Sequence, residues 1–483
     1  MNNKINNIAH LFPDLVKYAT AKKLKHSLYE FTKMVFQIVD PSTLFIDNWH
    51  IHMLTDVLTA CYRRELKRVL INIPPRSMKS IITSVAFPAW VLSQNPSEQI
   101  IVSSYSQMLA TKHSMDCRSV LSSDGFVKMF PESAIAFGTN TKNRFGTISG
   151  GYRFATSVGG SITGDGGNFL VIDDPHNPSY IDRKNYRNRV INWFKTTLLS
   201  RINDKKSGVV IVVMQRLHEN DLSGYLLKEQ GDMWYHISIP MVAEKKTIIG
   251  FKNKEYITLA PGDVMHSSRD SVTEVDRLKS EIGSRVFSAQ YQQKPWLESS
   301  NYILSNMIKY YDNVPDILDY SCISVDCAIG SKENNDYSVI AYIASKDGIS
   351  YVLDIVRCKL EYSLLRDELI NAIKIRSPNF VIIENRAHGS AMIQEISKIG
   401  LNNIITINPK INKVARFHAL AVAIEAGHLL FPKKATFLDE LIAEIVQFPN
   451  ATHDDQVDAL SQYLNWTRDD MFRSGEKMRV RMV

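Results

Sequence analysis

Four short runs in the first half of the chain, RVLINIPP, EQIIVSSYS, NFLVIDDP and SGVVIVVMQ, are apolar without alternation. A strand that is apolar on both faces must be covered on both faces, as in a parallel sheet sandwiched between helices. The stretches between the runs are helical or irregular, so residues 1–240 read as one α/β unit. Its lead-in, to about residue 60, has apolar positions at helical spacing in KHSLYEFTKMVFQIVD. After a break at Pro41 the pattern resumes in NWHIHMLTDVLTACYRREL. A length of 483 residues allows roughly two to four domains, each with its own core.

Composition narrows the classes. No run approaches the roughly eighteen apolar residues needed to span a bilayer, so no membrane partner is expected. The start, MNNKINNIAHLFPDL, has neither an apolar core nor a small-residue cleavage site, so no signal peptide is expected. The five cysteines, Cys61, Cys117, Cys322, Cys327 and Cys358, are odd in number and scattered. They fit neither a disulfide framework nor a zinc site and suit a reducing cytoplasm. A net charge of +7 permits contact with a polyanion without demanding it. Arg473, Lys477, Arg479 and Arg481 gather in a basic tail over 467–483, which reads as solvated.

The first strand runs straight into IPPRSMKSIITS. Strand, tight loop, Lys79, Ser80 and then helix is the setting of a phosphate loop of the Walker A type. There the backbone N–H groups around Ser77 and Met78 would cradle phosphates, Arg76 would add a second phosphate-binding cation, Lys79 would reach the β and γ oxygens, and Ser80 would ligate Mg²⁺. Met78 and Ile73 stand where that pattern usually has glycine, so a plain strand-to-helix turn is the competing reading. The third strand ends in Asp173 and Asp174, a Walker B arrangement offering one carboxylate for Mg²⁺ and one to orient an attacking water. A capping or turn pair before Pro175 is the alternative. The glycine-rich SVGGSITGDGGN suits a loop near phosphate or DNA, or a simple surface loop. Gln215 and Arg216 leave the fourth strand at the sheet edge where ligands of open parallel sheets bind, and Gln215 could sense a γ-phosphate.

The last third holds three acidic patches: Asp326 in SCISVDCAIG, Glu384 in FVIIENRAHG, and Asp454, Asp455 and Asp458 in ATHDDQVDAL. Unpaired carboxylates at the ends of buried strands are costly, so several that converge usually share a cation. Two Mg²⁺ or Mn²⁺ ions could activate a water and stabilise the leaving oxygen of a phosphodiester. CISVDCAIG, SVIAYIAS and ISYVLDIVRCKL read as a three-stranded meander, YSLLRDELINAIKI as an amphipathic helix and NFVIIEN as a returning buried strand. That order is an RNase H-type core with Asp326 and Glu384 on adjacent strands. On the last helix Asp454 and Asp458 share a face and Asp455 lies within one turn of Asp458, making Asp455 the first choice of ligand and Asp458 the next. An acidic helix start favoured by the dipole is the competing reading. Asp336 is either a peripheral ligand or a turn residue. Lys410, Lys413 and Arg416 either contact phosphates or form a solvated helix face.

The series NWHIHML, PPRSMKS, IIVSSYSQMLA, GGSITGDGGNFLVIDDP, MQRLHENDL, FSAQYQQKP, VDCA, IIEN and HDDQVDAL resembles, in order and spacing, the large subunit of tailed-phage terminases, from about residue 45 to about 465. The resemblance implies a RecA-like P-loop ATPase with a parallel-core sheet, joined to an RNase H-like mixed-sheet nuclease. ATP and Mg²⁺ would be the cofactors, with Mn²⁺ able to substitute in the nuclease. The implied work is driving double-stranded DNA into a procapsid in the host cytoplasm and cutting the concatemer. A small terminase subunit, the portal protein and further copies of the chain in a ring are the implied partners. Asp174 stands at the position of the catalytic acid, and Gln215 where many relatives carry Thr or Ser. Trp49 and His50 lie in the segment that approaches adenine in similar proteins, although Trp49 could equally anchor the lead-in helix.

The expected layout is a lead-in over 1–60, an ATPase over 61–295, a linker over 296–315 in the polar FSAQYQQKPWLESSNYI region, a nuclease over 316–466 and the tail. Residues 245–275 read as an inserted hairpin turning at Gly262. Two other readings compete. A repair or recombination ATPase–nuclease would need a second RecA-like domain, which is not apparent. A DNA-binding adaptor of a defective prophage would have a decayed ATPase, as Met78 and Ile73 would suggest.

Overall fold

A computed structural model describes residues 13–162, 164–296, 302–328, 337–385, 387–398, 403–408, 413–451 and 453–473. Asp336, Lys410 and the tail beyond 473 lie outside them. The chain divides into two compact units, one of residues 1–276 with 285–298 and one of 277–284 with 299–483.

The first unit is built on eight strands: β1 (Arg68–Asn72), β2 (Gln99–Ser104), β3 (Ile135–Asn140), β4 (Arg144–Thr147), β5 (Tyr152–Ser157), β6 (Phe169–Asp173), β7 (Val209–Met214) and β8 (Tyr235–Ser238). Their order is β3-β4-β5-β2-β6-β7-β1-β8. From β5 to β8 every pairing is parallel, and only β4, antiparallel to both β3 and β5, runs against the rest near one edge. All residues of β6 and β7 are buried, as their unbroken apolar sequences require. One face packs Leu54, Val57, Val85, Phe87 and Phe145 among others, and the opposite face packs Ile162, Trp193, Phe194, Leu198 and Leu226. The lead-in helix Leu28–Val39 is capped by Ser27, whose hydroxyl accepts from Glu30 N, and buries Phe31 and Val35. A separate hairpin pairs β9 (Thr247–Phe251) with β10 (Lys254–Leu259). It turns at Lys252, which adopts φ +54°, rather than at Gly262, whose φ of +91° serves a later turn bonded to Ala243.

The second unit has seven strands: β11 (Lys309–Tyr311), β12 (Tyr320–Asp326), β13 (Ser338–Lys346), β14 (Ile349–Cys358), β15 (Phe380–Glu384), β16 (Ile404–Ile407) and β17 (Leu429–Pro432), in the order β11-β17-β14-β13-β12-β15-β16. β12, β13 and β14 form the expected antiparallel meander, and β15 returns parallel to β12 after helix Tyr362–Arg376. The helix Asp455–Arg473 packs Val457, Leu460 and Tyr463 into the core on one face of this sheet. The fold class is therefore the expected one: a parallel-core α/β sheet in the first unit and a mixed RNase H-like sheet in the second. Among the described residues no helix is long and apolar enough to cross a membrane.

Candidate active sites

In the first unit β1 leads through a tight loop into a helix that begins at Lys79. Ser77 is fully buried and its hydroxyl donates to Pro74 O at 2.7 Å, tying the loop to itself. Arg76 and Met78 both adopt left-handed backbone, with φ of +61° and +60°. A glycine takes that conformation freely; here a half-buried Met78 does so and packs against the core. The loop therefore keeps a glycine-like backbone at the position where the usual pattern has glycine.

Beside this loop β6 delivers Asp173 and Asp174, because β1 pairs with β7 and β7 with β6, all parallel. Asp173 is fully buried and accepts from Ser80 Oγ at 3.1 Å and Ser84 Oγ at 2.8 Å. His113 Nδ1 lies 3.5 Å from it. Burial pushes the Asp173 carboxyl up, against the pull of Lys79 and the two serines. Lys79 Nζ stands 3.1 Å from Asp174 Oδ2, and Gln215 N donates to Asp174 Oδ1 at 3.2 Å. Burial raises the Asp174 carboxyl as well, with Lys79 opposing. Asp174 has φ +45°, a strained turn that holds the carboxylate at the strand end. The structure thus brings Lys79, Ser80, Asp173, Asp174 and the backbone of Gln215 together, and the Gln215 side-chain oxygen is buried without a hydrogen-bond partner. Arg216 does not share in this: its guanidinium is held by Asp221 at 3.0 Å, where Asp221 caps helix Leu222–Gln230. Trp49 donates to Met265 O at 3.0 Å and His50 Nε2 lies 3.2 Å from Ser77 O, so both brace the loop's surroundings.

In the second unit the register sets Val325 opposite Ile383, which carries Asp326 and Glu384 side by side at the ends of β12 and β15. The last helix is fixed across both strands by Gln462, whose amide donates to Ser324 Oγ at 3.2 Å, Val325 O at 3.3 Å and Ile382 O at 3.2 Å. Ser324 Oγ in turn donates to Ala459 O at 2.7 Å. The helix start is held by Glu444, which accepts from Val457 N at 2.9 Å and Gln456 Nε2 at 2.8 Å. These contacts set Asp455 and Asp458 against the two strand-end carboxylates.

The electrostatics follow. Burial, then the charges of Asp458, Asp455 and Glu384, push the Asp326 carboxyl up to about 8. Burial also raises Asp458, with Lys413 opposing. Lys413 ion-pairs with Asp454 and, at 2.7 Å, with Asp458. Burial would lower the Lys413 ammonium, but its carboxylate partners outweigh that and raise it. Arg416 lies 3.2 Å from Glu384 and 3.6 Å from Asp458. Neither residue is a solvated face: both are counter-charges within the acid cluster. Among the described residues no three acidic, histidine or cysteine side chains stand as a ready-made metal cage. Two basic side chains lie on the carboxylates instead.

Residues 323–466 match the family model described as the terminase RNaseH-like domain. They form a terminase RNase H-like domain. The match supports the resemblance of the chain to terminase large subunits. Solved structures give further similarity. The large terminase of one thermophilic bacteriophage, in complex with ATP-γ-S, aligns at 12% identity with a TM-score of 0.48, covering 85% of this chain and 98% of that one. The large terminase of bacteriophage HK97 aligns at 12% identity with a TM-score of 0.36, covering 90% and 99%. The large terminase nuclease of the thermophilic phage G20c, with bound cobalt, aligns at 18% identity with a TM-score of 0.28, covering 35% and 98%. No curated protein matches.

In this terminase RNase H-like domain sequence reasoning missed Gln462, Ser324 and Glu444, which place the acids without being acids of the cluster. The spacing of Gln462 seven residues after Asp455, on the helix face that meets the sheet, is the signal that could have found it.

Proposed function

We propose that this chain is the large subunit of a tailed-phage terminase: an ATP-driven motor that moves double-stranded DNA into a procapsid, joined to a metal-dependent endonuclease that cuts the concatemer. The observation that carries the reading is the convergence of Asp326 and Glu384, at the ends of β12 and β15, with Asp455 and Asp458 at the start of the last helix, where burial and then the charges of Asp458, Asp455 and Glu384 raise Asp326 to about 8. Carboxylates held together at that cost are the hard oxygen donors that Mg²⁺ and Mn²⁺ select, so the donor set fits the metal. Those four residues would hold it, and the bound metal supplies a water of lowered pKa and charge stabilisation at a leaving phosphate oxygen. Lys413 and Arg416 neutralise the cluster and would also meet a phosphate of the DNA backbone.

In the first unit the helix start at Lys79 and the loop over Arg76, Ser77 and Met78, left-handed at Arg76 and Met78, offer backbone donors to an anion, which fits the phosphates of ATP. Lys79 would take the β and γ oxygens, with Ser80 and Asp173 on the Mg²⁺ side. Asp174, bonded to the backbone of Gln215, would orient the attacking water. That Met78 retains the glycine-like conformation favours a working loop over a decayed one. The work would be done in the host cytoplasm, at the procapsid vertex, with a small terminase subunit, the portal protein and a ring of copies as partners.

Digestion of supercoiled plasmid with Mn²⁺ or Mg²⁺, comparing the intact chain with Asp326→Ala, tests the nuclease, and ATP turnover with and without Lys79→Ala tests the motor. Loss of cleavage and of turnover in the respective variants is expected. A folded intact chain that neither cuts DNA nor hydrolyses ATP would return the adaptor reading to first place.

A further inference from the structure

Beyond the two sites, one surface of the first unit has a composition that neither phosphate loop nor acid cluster explains. After Asp174 the chain passes through Pro178–Tyr180 into helix Lys184–Trp193. Tyr180, Arg183, Lys184, Asn185, Tyr186 and Arg189 line a concavity of about 650 Å³ with no carboxylate in its wall. Arg183, Lys184, Asn185 and Arg189 are exposed. Among the described residues no ion pair neutralises Arg183, Lys184 or Arg189.

The helix start is unusual in charge. Its N-cap is Arg183, with no side-chain cap, and its first turn has no acidic residue. Helix starts usually carry Ser, Thr, Asp or Asn there, because free N–H groups and the positive end of the dipole favour negative charge. Basic residues at such a position repel the dipole, and the cost is offset when an anion from outside is bound there. The cations are also aimed. The Arg183 guanidinium lies over the Tyr180 ring, 5.1 Å from its centroid, and Arg189 over Tyr186 at 5.5 Å. Tyr180 and Tyr186 meet edge to face at 5.8 Å. Rings that hold guanidinium groups limit the freedom that phosphate binding would otherwise have to remove.

The patch is tied to the end of β6. Tyr186 Oη accepts from Asn177 N at 2.7 Å, and the ring of Tyr186 lies 6.0 Å from that of His176. His176 Nε2 accepts from Leu222 N at 2.8 Å. A short braced segment therefore connects Asp173 and Asp174 to the patch.

We propose that Tyr180, Arg183, Lys184, Tyr186 and Arg189 form a contact for the phosphate backbone of double-stranded DNA on the ATPase unit. Exposed, unpaired and ring-supported cations at an uncapped helix start suit successive phosphates of one strand, with no reading of bases. The inference rests on the packaging reading and adds to it where the first unit grips its cargo.

The test is fluorescence anisotropy of a labelled DNA duplex with the full chain, in EDTA so that no strand is cut, over a series of salt concentrations. Replacing Arg183→Ala, Lys184→Ala and Arg189→Ala together should weaken binding roughly tenfold. It should also lower the salt slope by about two to three, at about 0.9 per phosphate contact. Unchanged ATP turnover in the triple variant would show an intact fold. A variant with Arg183→Lys and Arg189→Lys should keep most of the affinity. Equal affinity and slope in intact and triple-alanine chains would overturn the assignment while leaving the packaging reading standing. An intact chain that binds no duplex would overturn both. If inorganic phosphate at matched ionic strength removes the difference between the two chains, the site is a small-anion pocket and the DNA assignment fails.

Discussion

Lys413 Nζ stands 2.7 Å from Asp458 Oδ2, so the acid cluster of the second unit carries its own counter-cation. A divalent ion entering the cluster must share Asp458 with that ammonium or displace it. Replacing Lys413→Met should therefore tighten Mn²⁺ binding by roughly tenfold, the size expected of one charge partly screened by water. Calorimetric titration with Mn²⁺ measures it, and a weakened affinity would mean that Lys413 holds the carboxylates in position instead.

The raised Asp326 carboxyl makes the unit's stability depend on pH. An unfolded aspartate gives up its proton near pH 4, but folded Asp326 keeps it to about pH 8. Between those values the folded chain binds more protons, so stability without metal falls as pH rises from about 4 to about 8. Mn²⁺ should raise the melting temperature most near pH 8, where the carboxylate is free. Melting curves in EDTA and in Mn²⁺ check this, and Asp326→Asn should flatten the metal-free slope.

Met78 combines a left-handed backbone with a side chain packed on the core. Met78→Ala loses the packing and keeps the strain, whereas Met78→Gly loses the packing and relieves it. The alanine variant should be the less stable of the two by about 1 kcal/mol, and both should be less stable than the intact chain or close to it. Denaturant unfolding read by a first-unit probe measures the order. A glycine variant less stable than the alanine variant would reject the account.

Gln462 links the last helix to β12 and β15 by three hydrogen bonds. Gln462→Leu leaves buried strand carbonyls short of a donor, at a cost of about 1–3 kcal/mol. Because the same bonds align Asp455 and Asp458 with Asp326 and Glu384, plasmid cleavage should fall more than the loss of stability alone explains. Cleavage measured well below the melting temperature separates the two effects.

What could be read in advance follows from where each signal resides. β1, β2, β6 and β7 were legible because burial on both faces leaves an unbroken apolar run. β3, β4 and β5 were not, since IAFGTN, RFGT and YRFATS mix glycine, arginine and threonine among apolar residues. Arg153 of β5 is even fully buried, its guanidinium donating to Ser84 O at 3.1 Å. The short β8 carries His236, bonded to Asn72 across the sheet, a partner no local pattern announces. Asp326 and Glu384 stood out because a carboxylate ending an apolar run is costly. The pairing of Lys413 and Arg416 with the acids depends on which helix face meets the sheet, so their sequence left two readings open. The hairpin turn was misplaced because Lys252, not a glycine, takes the left-handed conformation.

The parallel order of the first sheet also bears on how the chain is made. β1 is flanked by β7 and β8, the last two strands of that sheet to be synthesised. A nascent chain that has emerged only as far as Asp174 holds Lys79, Ser80, Asp173 and Asp174, yet has no neighbour for the strand that presents the loop. The loop over residues 76–78 thus lacks the full pairing of its strand until β7 and β8 have both been made. Truncation between Asp174 and Val209 would yield a chain with the motif and with no strand to pair with β1.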